Sequence, residues 1–543
     1  MKKILPIVIC ISMILSACGA AGFGGSVSDA VDDEYRNYYE IFVYSFADSN
    51  GDGIGDLKGV TDKLDYIADL GCNGIWLMPV QPSPTYHKYD ITDYTNIDPQ
   101  YGTMGDFDNL IKSAHKRSIR VIIDLVINHT SIEHPWFTEA AEYLRSLPAS
   151  DTPDPAKCPY VDYYHFAKEQ PDASWYPLAG TDYYYEGSFW ERMPDLNLSN
   201  AAVLSELMAV ADFWIDRGVD GFRMDALMHY SETDTKGNAE ILCKLYDHCR
   251  EKDPDFYIVS EVWAAEQTIL QYYVNGAPSL FDFPMAGAEG VLVKAARGKM
   301  SEERFVSGML EAEEKRFEAN PDAVNAPFLT NHDMGRVSNA LSGKQEDLKM
   351  ASALLLSMNG NPFIYYGEEL GMISKGNRDE NKRLPMPWTE EALCNRPGLA
   401  GEGQAAGEGQ SGARSRDYTC FGPADADEVI QKCEPCDVQR KDPASLHDFY
   451  KKALSLRNRY PQIARGRSEA VADVPEAISR EWKGERIYIV YNTEEEEKTV
   501  TDPVFSDKMI LETLCATDPE QQATLYDDGL ILPPKSVVYL KEK

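Results

Sequence analysis

Val219-Asp220-Gly221-Phe222-Arg223-Met224-Asp225 is a short apolar run that closes on a carboxylate. The pattern returns at Tyr257-Ile258-Val259-Ser260-Glu261 and at Ala326-Pro327-Phe328-Leu329-Thr330-Asn331-His332-Asp333. Each run reads as a short buried strand, and helix-like stretches lie between them. Strand-helix repeats with acids at the carboxyl ends of the strands predict an α/β fold, a (β/α)8 TIM barrel, because that end is the catalytic face of such barrels. One acid at a strand end is usually a solvated or capping group. Asp225, Glu261 and Asp333 together, with Arg223 and His332 beside two of them, point instead to a site.

Working outward, Glu40 to Phe46 reads as the first strand and Gly74 to Pro79 as the second, with apolar helical positions at Leu64, Ile67, Ala68 and Leu70 between them. Phe107 to Arg117 is helical, and Val121 to Val126 is the third strand. Residues 130–198 are rich in Tyr, Trp, Pro and Asp with little periodicity, which predicts an inserted subdomain after strand 3. The alternation resumes at Leu204 to Asp216, and Asn361 to Gly367 is the eighth strand. The barrel is thus expected over 35–129 and 199–459, interrupted at 389–441 by an irregular, Cys-containing insert with a low-complexity Gly401 to Gly412 stretch. Ile487 to Tyr491 and Ser536 to Leu540, set between turn signals, predict a C-terminal antiparallel β domain, a β-sandwich over 460–543.

At 543 residues the chain is too long for one compact core. Asp and Glu outnumber Lys and Arg by 88 to 53, a net charge of -35, which disfavours nucleic acid and anionic lipid as partners. Lys2 and Lys3 precede an apolar stretch too short for a comfortable membrane span, so residues 1–17 read as a signal peptide. Leu15-Ser16-Ala17-Cys18 is similar to the bacterial lipoprotein processing site, which implies lipidation of Cys18, a tether over 18–34 and a membrane-held, extracytoplasmic protein. A monomer is expected. Cys394, Cys420, Cys433 and Cys436 share one polar stretch. Cys433-Glu434-Pro435-Cys436 lacks the second half of a zinc site, so disulfides are expected there. Cys72, Cys158, Cys243, Cys249 and Cys515 read as core residues.

These motifs resemble glycoside hydrolase family 13, the α-amylase family, from about Tyr39 onward. Asp124-Leu-Val-Ile-Asn128-His129, Gly221-Phe-Arg223-Met-Asp225, Glu261-Val-Trp263 and Asn331-His332-Asp333 look like its first four motif regions, in order. Met193-Pro194-Asp195-Leu196-Asn197 resembles the fifth, in the form found in a group that includes bacterial lipoprotein α-amylases. The resemblance implies Asp225 as nucleophile, Glu261 as general acid/base and Asp333 as transition-state stabiliser. The chemistry agrees: retaining hydrolysis needs two carboxyls about 5 Å apart, one ionised and one protonated. Arg223, on the same strand face as Asp225, favours the ionised form. For substrate binding the resemblance implies Tyr89 as a sugar platform, with Asp90, His129, Arg223, His332 and Arg383. Arg383-Leu-Pro-Met-Pro-Trp388 has Pro387 where the related glucosidases carry Gln.

Asp48-Ser-Asn50-Gly-Asp52-Gly-Ile54-Gly-Asp56 sets oxygen ligands at alternate positions, with Ile54 offering its carbonyl, as Ca2+ requires. A similar calcium loop follows the first strand in oligo-1,6-glucosidase-like members of the family. Asn128 matches a residue that helps hold a second calcium elsewhere in the family, but its partners are not identifiable. The expected activity is cleavage of α-1,4-glucans at the cell surface. The alternatives are an α-glucosidase, oligo-1,6-glucosidase or neopullulanase-like enzyme on short oligosaccharides, and a non-catalytic glycan-binding lipoprotein.

Overall fold

The computed structural model describes residues 30–543 apart from 149, 232–233, 377, 390–417 and 424. The signal peptide, Cys18, Cys394 and the Gly401 to Gly412 stretch lie outside the described residues. The first strands are β1 (Tyr38–Ile41), β2 (Gly74–Leu77) and β3 (Arg120–Leu125). Three short antiparallel strands follow, β4 (Phe166–Ala167), β5 (Trp175–Pro177) and β6 (Tyr184–Glu186), in the order β4-β6-β5. Then come β7 (Gly221–Met224), β8 (Tyr257–Ser260), β9 (Ser279–Phe281), β10 (Val324–Ala326) and β11 (Phe363–Tyr365). Eight of these form one parallel sheet in the order β10-β9-β8-β7-β3-β2-β1-β11. Its two ends meet through a parallel bridge between Phe328 and Phe363, with the Phe363 N–H donating to the Pro327 carbonyl at 2.9 Å. This is the (β/α)8 barrel.

Period-two alternation decides what the barrel contains. Tyr38 and Glu40 on β1 point the same way. In register, Glu40 lies opposite Trp76, Trp76 opposite Ile122, and Asp124 opposite Arg223. The amino-end layer is aromatic: Tyr38 stacks on Phe363 at 4.7 Å and on Tyr257 at 5.5 Å. Glycine makes the room, since a Cβ at Gly74 would lie 2.6 Å from the Tyr38 ring. Above it Trp76, Phe281 and Phe363 interlock, with centroids 4.9 to 5.9 Å apart. The next layer, towards the carboxyl ends, is charged. An apolar plug therefore supports a polar floor on which the site is built.

Several expectations are corrected. β1 stops at Ile41, and Val43–Phe46 turns into a short helix instead of extending the strand. β10 stops at Ala326, because Pro327 offers no N–H to a ladder, so Asp333 stands on a loop rather than at a strand end. Residues 130–198 contain a regular helix, Pro135–Ser146, started by Pro135 and capped by the His134 ring, which accepts the Trp136 N–H at 3.2 Å. Cys433 and Cys436 are buried thiols rather than disulfide halves. The Cys433 thiol donates to the Leu370 carbonyl at 3.2 Å, and burial pushes both thiols up to about 12.

The C-terminal strands are β12 (Arg467–Val471), β13 (Val474–Trp482), β14 (Glu485–Asn492), β15 (Lys498–Thr501), β16 (Lys508–Cys515), β17 (Thr524–Tyr526), β18 (Gly529–Leu532) and β19 (Ser536–Glu542). They form two antiparallel sheets, β12-β13-β14-β19-β16 and β15-β18-β17, around Val474, Val490, Leu530, Leu532, Val538 and Leu540. Arg480, 1% exposed, ties this unit to the barrel by donating to the Ser357 and Ile463 carbonyls. On the amino-end face of the barrel, the segment before β1 is pinned by acids. Asp33 pairs with Arg465 at 2.6 Å, and Asp32 reaches Arg36 at 2.5 Å and Arg120 at 3.2 Å.

Candidate active site

The charged layer opens into a cleft of about 800 Å³ at the carboxyl ends of the strands. Asp225 follows β7, Glu261 follows β8, and Asp333 sits on the loop after β10; all three line the cleft. Arg223, 1% exposed, lies beneath them and joins them to β3. Its Nη1 is 2.7 Å from Asp124 Oδ1 and 2.6 Å from Asp225 Oδ1, while Nη2 pairs with Glu261 Oε2. Asp225 and Glu261 thus share the two prongs of one guanidinium, which ties both to one anchor at the floor of the cleft.

The electrostatics separate the acids. Burial is the largest influence on Glu261; Arg223 opposes it, Asp225 and Asp333 reinforce it, and the carboxyl is pushed up to about 7. Burial likewise lifts Asp124 to about 6 against Arg223. On Asp333 burial also works upward. There the charge and hydrogen bond of His332, with Arg383, prevail and hold the carboxyl well below the usual carboxylate range. The contacts are 2.9 Å from His332 Nε2 to Asp333 Oδ2 and 3.0 Å from Arg383 Nη2 to Asp333 Oδ1. One acid is therefore poised to hold a proton near neutrality while another stays charged.

The sequence-predicted binding residues divide. Tyr89 lines the cleft with its ring stacked on His332 at 5.6 Å. His129 and Arg383 also line it, and among the described residues the buried His129 Nε2 has no hydrogen-bond partner. Arg223 and His332 do not reach the cleft surface. Both are buried beneath the lining residues and hold the acids. Asp90 is fully buried; its Oδ1 accepts from Ser83 Oγ at 2.6 Å and from Thr85, and its Oδ2 has no partner among the described residues.

Other lining residues carried no prior assignment. Asp379 pairs with Arg383 at 2.7 Å and accepts the Tyr86 hydroxyl at 2.7 Å. Phe189, Trp190 and Trp263 stand at the mouth, 48%, 39% and 50% exposed. Trp263 follows Glu261 by two residues, and its ring stacks on Phe283 at 5.0 Å. Large exposed aromatics around a cleft were a readable signal, since aromatic faces suit the apolar faces of sugars.

The loop from Asp48 to Asp56 folds on itself. Asp48 accepts the N–H groups of Asn50, Gly51 and Gly53 at 2.6 to 3.0 Å, and Asp52 accepts that of Ile54 at 2.8 Å. Asp56 accepts from Ser49 and caps the helix Leu57–Asp62 through the Gly59 N–H. Asp48 is 2% exposed, burial raises its carboxyl, and no Lys or Arg pairs with it among the described residues. A buried carboxylate without a counter-charge fits a cation. Among the described residues no three His, Cys, Asp or Glu side chains are grouped to hold a metal, so amide and carbonyl oxygens of Asn50 and Ile54 would complete the set.

Residues 40–404 match the family model of the alpha-amylase catalytic domain. Over 483 residues the chain is 38% identical to Alpha-amylase 3 of Dictyoglomus thermophilum, covering 86% of each chain. It is 35% identical over 358 residues to a glucan 1,6-alpha-glucosidase of Streptococcus pneumoniae, covering 62% of this chain and 64% of that one. Among solved structures, Eubacterium rectale Amy13B superposes with a TM-score of 0.86 at 42% identity, over 95% of this chain and 96% of that one.

Proposed function

Because the chain belongs to the α-amylase family of glycoside hydrolases, we propose that it is a retaining enzyme that cleaves α-1,4-glucosidic bonds in starch and maltooligosaccharides. One observation carries this reading: Asp225 and Glu261 are held on the two prongs of the buried Arg223 at the floor of an open cleft. Asp225 attacks the anomeric carbon as the bond to the leaving oxygen breaks. Glu261 gives that oxygen its proton. In the second half Glu261 takes a proton from water, whose oxygen displaces Asp225. Asp333, charged beside His332 and Arg383, stabilises the positive charge that develops on the sugar ring. Tyr89 stacks under that ring and His129 donates to its hydroxyls. The aromatics at the mouth suit a chain that extends past the central sugar, which favours endo cleavage.

The Streptococcus pneumoniae relative favours a second reading, hydrolysis of short or α-1,6-linked oligosaccharides. A time course on amylose and on panose separates the two. Internal fragments from amylose with little glucose support the first, and rapid glucose release from panose alone supports the second. Early product should be the α anomer by NMR; β-anomeric product sinks the retaining mechanism. Ca2+ in the Asp48 to Asp56 loop and a lipid anchor on Cys18 at the outer face of a membrane complete the proposal.

A further inference from the structure

Glu40 is the third residue of β1, flanked by the buried side chains of Tyr39 and Ile41, and is itself 1% exposed. A carboxylate in such a place is costly unless it is paired. Its partner is the equally buried ring of His332. Glu40 Oε1 lies 2.6 Å from Nδ1 and also accepts the His332 backbone N–H at 3.3 Å. The other ring nitrogen, Nε2, lies 2.9 Å from Asp333 Oδ2 and 2.8 Å from the Tyr89 hydroxyl. Carboxylates only accept hydrogen bonds, so Nδ1 carries a hydrogen towards Glu40, and a hydrogen on Nε2 as well sets a positive ring against Asp333.

We propose that Glu40 is a positioning residue for the reaction: it holds His332 as an imidazolium, and the imidazolium fixes the Asp333 carboxylate against the cleft. This rests on the reading of Asp333 as the group that stabilises the transition state. Glu40 lies within β1, away from the cleft; with His332 and Asp333 it forms a buried carboxylate-imidazolium-carboxylate chain from β1 to the cleft wall. The groups around the ring come from each neighbouring element. They are Trp76 edge-on from β2 at 5.5 Å, Asp124 at the end of β3, Tyr89 stacked from the loop after β2, and Arg383, whose Nε donates to the His332 carbonyl at 3.3 Å. Arg223 and Glu261 lie beyond. Burial alone would keep the ring neutral, but Asp333 and Glu40 outweigh it and push His332 up to about 10.

Glu40→Gln keeps the shape and an acceptor for Nδ1–H but removes the charge. We expect a folded variant with a KM for an aryl maltotrioside within roughly threefold of wild type. Its kcat should fall by about tenfold or more, because a transition-state contact is misplaced. The acid limb of its kcat/KM profile should move to higher pH, since Asp333 without an imidazolium protonates more readily. An isosteric variant with wild-type kcat and an unmoved acid limb overturns the proposal, because a purely structural role would leave both in place. Asp225→Ala assayed in parallel keeps the two readings apart: if that variant stays active, the proposed function itself fails. Should Glu40→Gln not fold, the wild-type enzyme still decides. In ¹⁵N-histidine NMR at pH 8, the His332 signals, assigned by their loss in His332→Gln, should show both ring nitrogens protonated. A neutral ring overturns the proposal.

Discussion

At the residue scale, Arg223 shares one guanidinium among Asp124, Asp225 and Glu261, and each acid depends on it differently. Asp225→Ala removes the nucleophile and Glu261→Gln the proton donor, so each should lower starch hydrolysis by at least roughly a thousandfold in a folded protein. A folded Asp225→Ala variant with a tenth of wild-type activity would refute the assignment. Glu261 must enter the reaction protonated, and its carboxyl lies up at about 7. The protonated fraction falls as pH rises through that value, so kcat/KM should decline on the alkaline side near pH 7. A profile flat to pH 9 would exclude Glu261 as the acid. The acids were legible because each closes an apolar run or sits in a recognisable motif. Depth was not: alternation says which side of a strand Arg223 faces, but not that Asp225 and Glu261 stand between it and the solvent. Glu40 was missed for a similar reason. A lone charge amid Tyr38, Tyr39, Ile41 and Phe42 is a signal of a buried pair, yet its partner is 292 residues away.

At the scale of elements, the loop after β1 and the turn after β11 each invite a measurement. If the Asp48 to Asp56 loop binds Ca2+, the cation stabilises the folded state with the logarithm of its excess over the dissociation constant. Chelation should then lower the melting temperature, added Ca2+ should restore it, and Asp52→Ala should lose most of that response. An unchanged chelator response and metal content in Asp52→Ala would refute the site. After β11, Glu368 is buried, accepts from Tyr450 at 3.0 Å and Thr330 at 3.1 Å, and is pushed by burial from 4.5 up to about 8. Between those values the unfolded chain has released a proton that the folded chain keeps. Stability from this group therefore declines as pH rises from about 4.5 to about 8 and is level above. Glu368→Gln should flatten that slope, read as a smaller fall in melting temperature between pH 5 and pH 8; an equal fall in both proteins removes Glu368 as the cause. Strong runs such as those of β2 and β3 were legible as elements. β9 was not, since Ser279, Leu280 and Phe281 are too few to show a period. The helix Pro135–Ser146 was masked by the polar, aromatic composition around it, although His134-Pro135 is a start signal.

At the scale of the whole molecule, the barrel was readable because the strand-helix alternation repeats its evidence in seven of the eight strands, while the closure through Phe328 and Phe363 joins residues that no local pattern links. Cys18→Ala should leave the protein in the soluble fraction or block its processing, as two or more acyl chains suffice for stable anchoring and one polar chain does not. Persistence of the variant in salt-washed membranes would reveal another attachment. The pinning of Asp32 and Asp33 to Arg120 and Arg465 then acquires a directional meaning. The chain enters the barrel at the pole opposite the cleft, so an attachment at its start and the mouth lie at opposite ends of the barrel. If Cys18 carries the proposed lipid anchor, the mouth points away from the bilayer, and a long glucan can be cut without bending towards it. Amylose turnover should therefore be the same for vesicle-bound and detergent-released enzyme, and slower turnover on vesicles would show that the mouth is shaded.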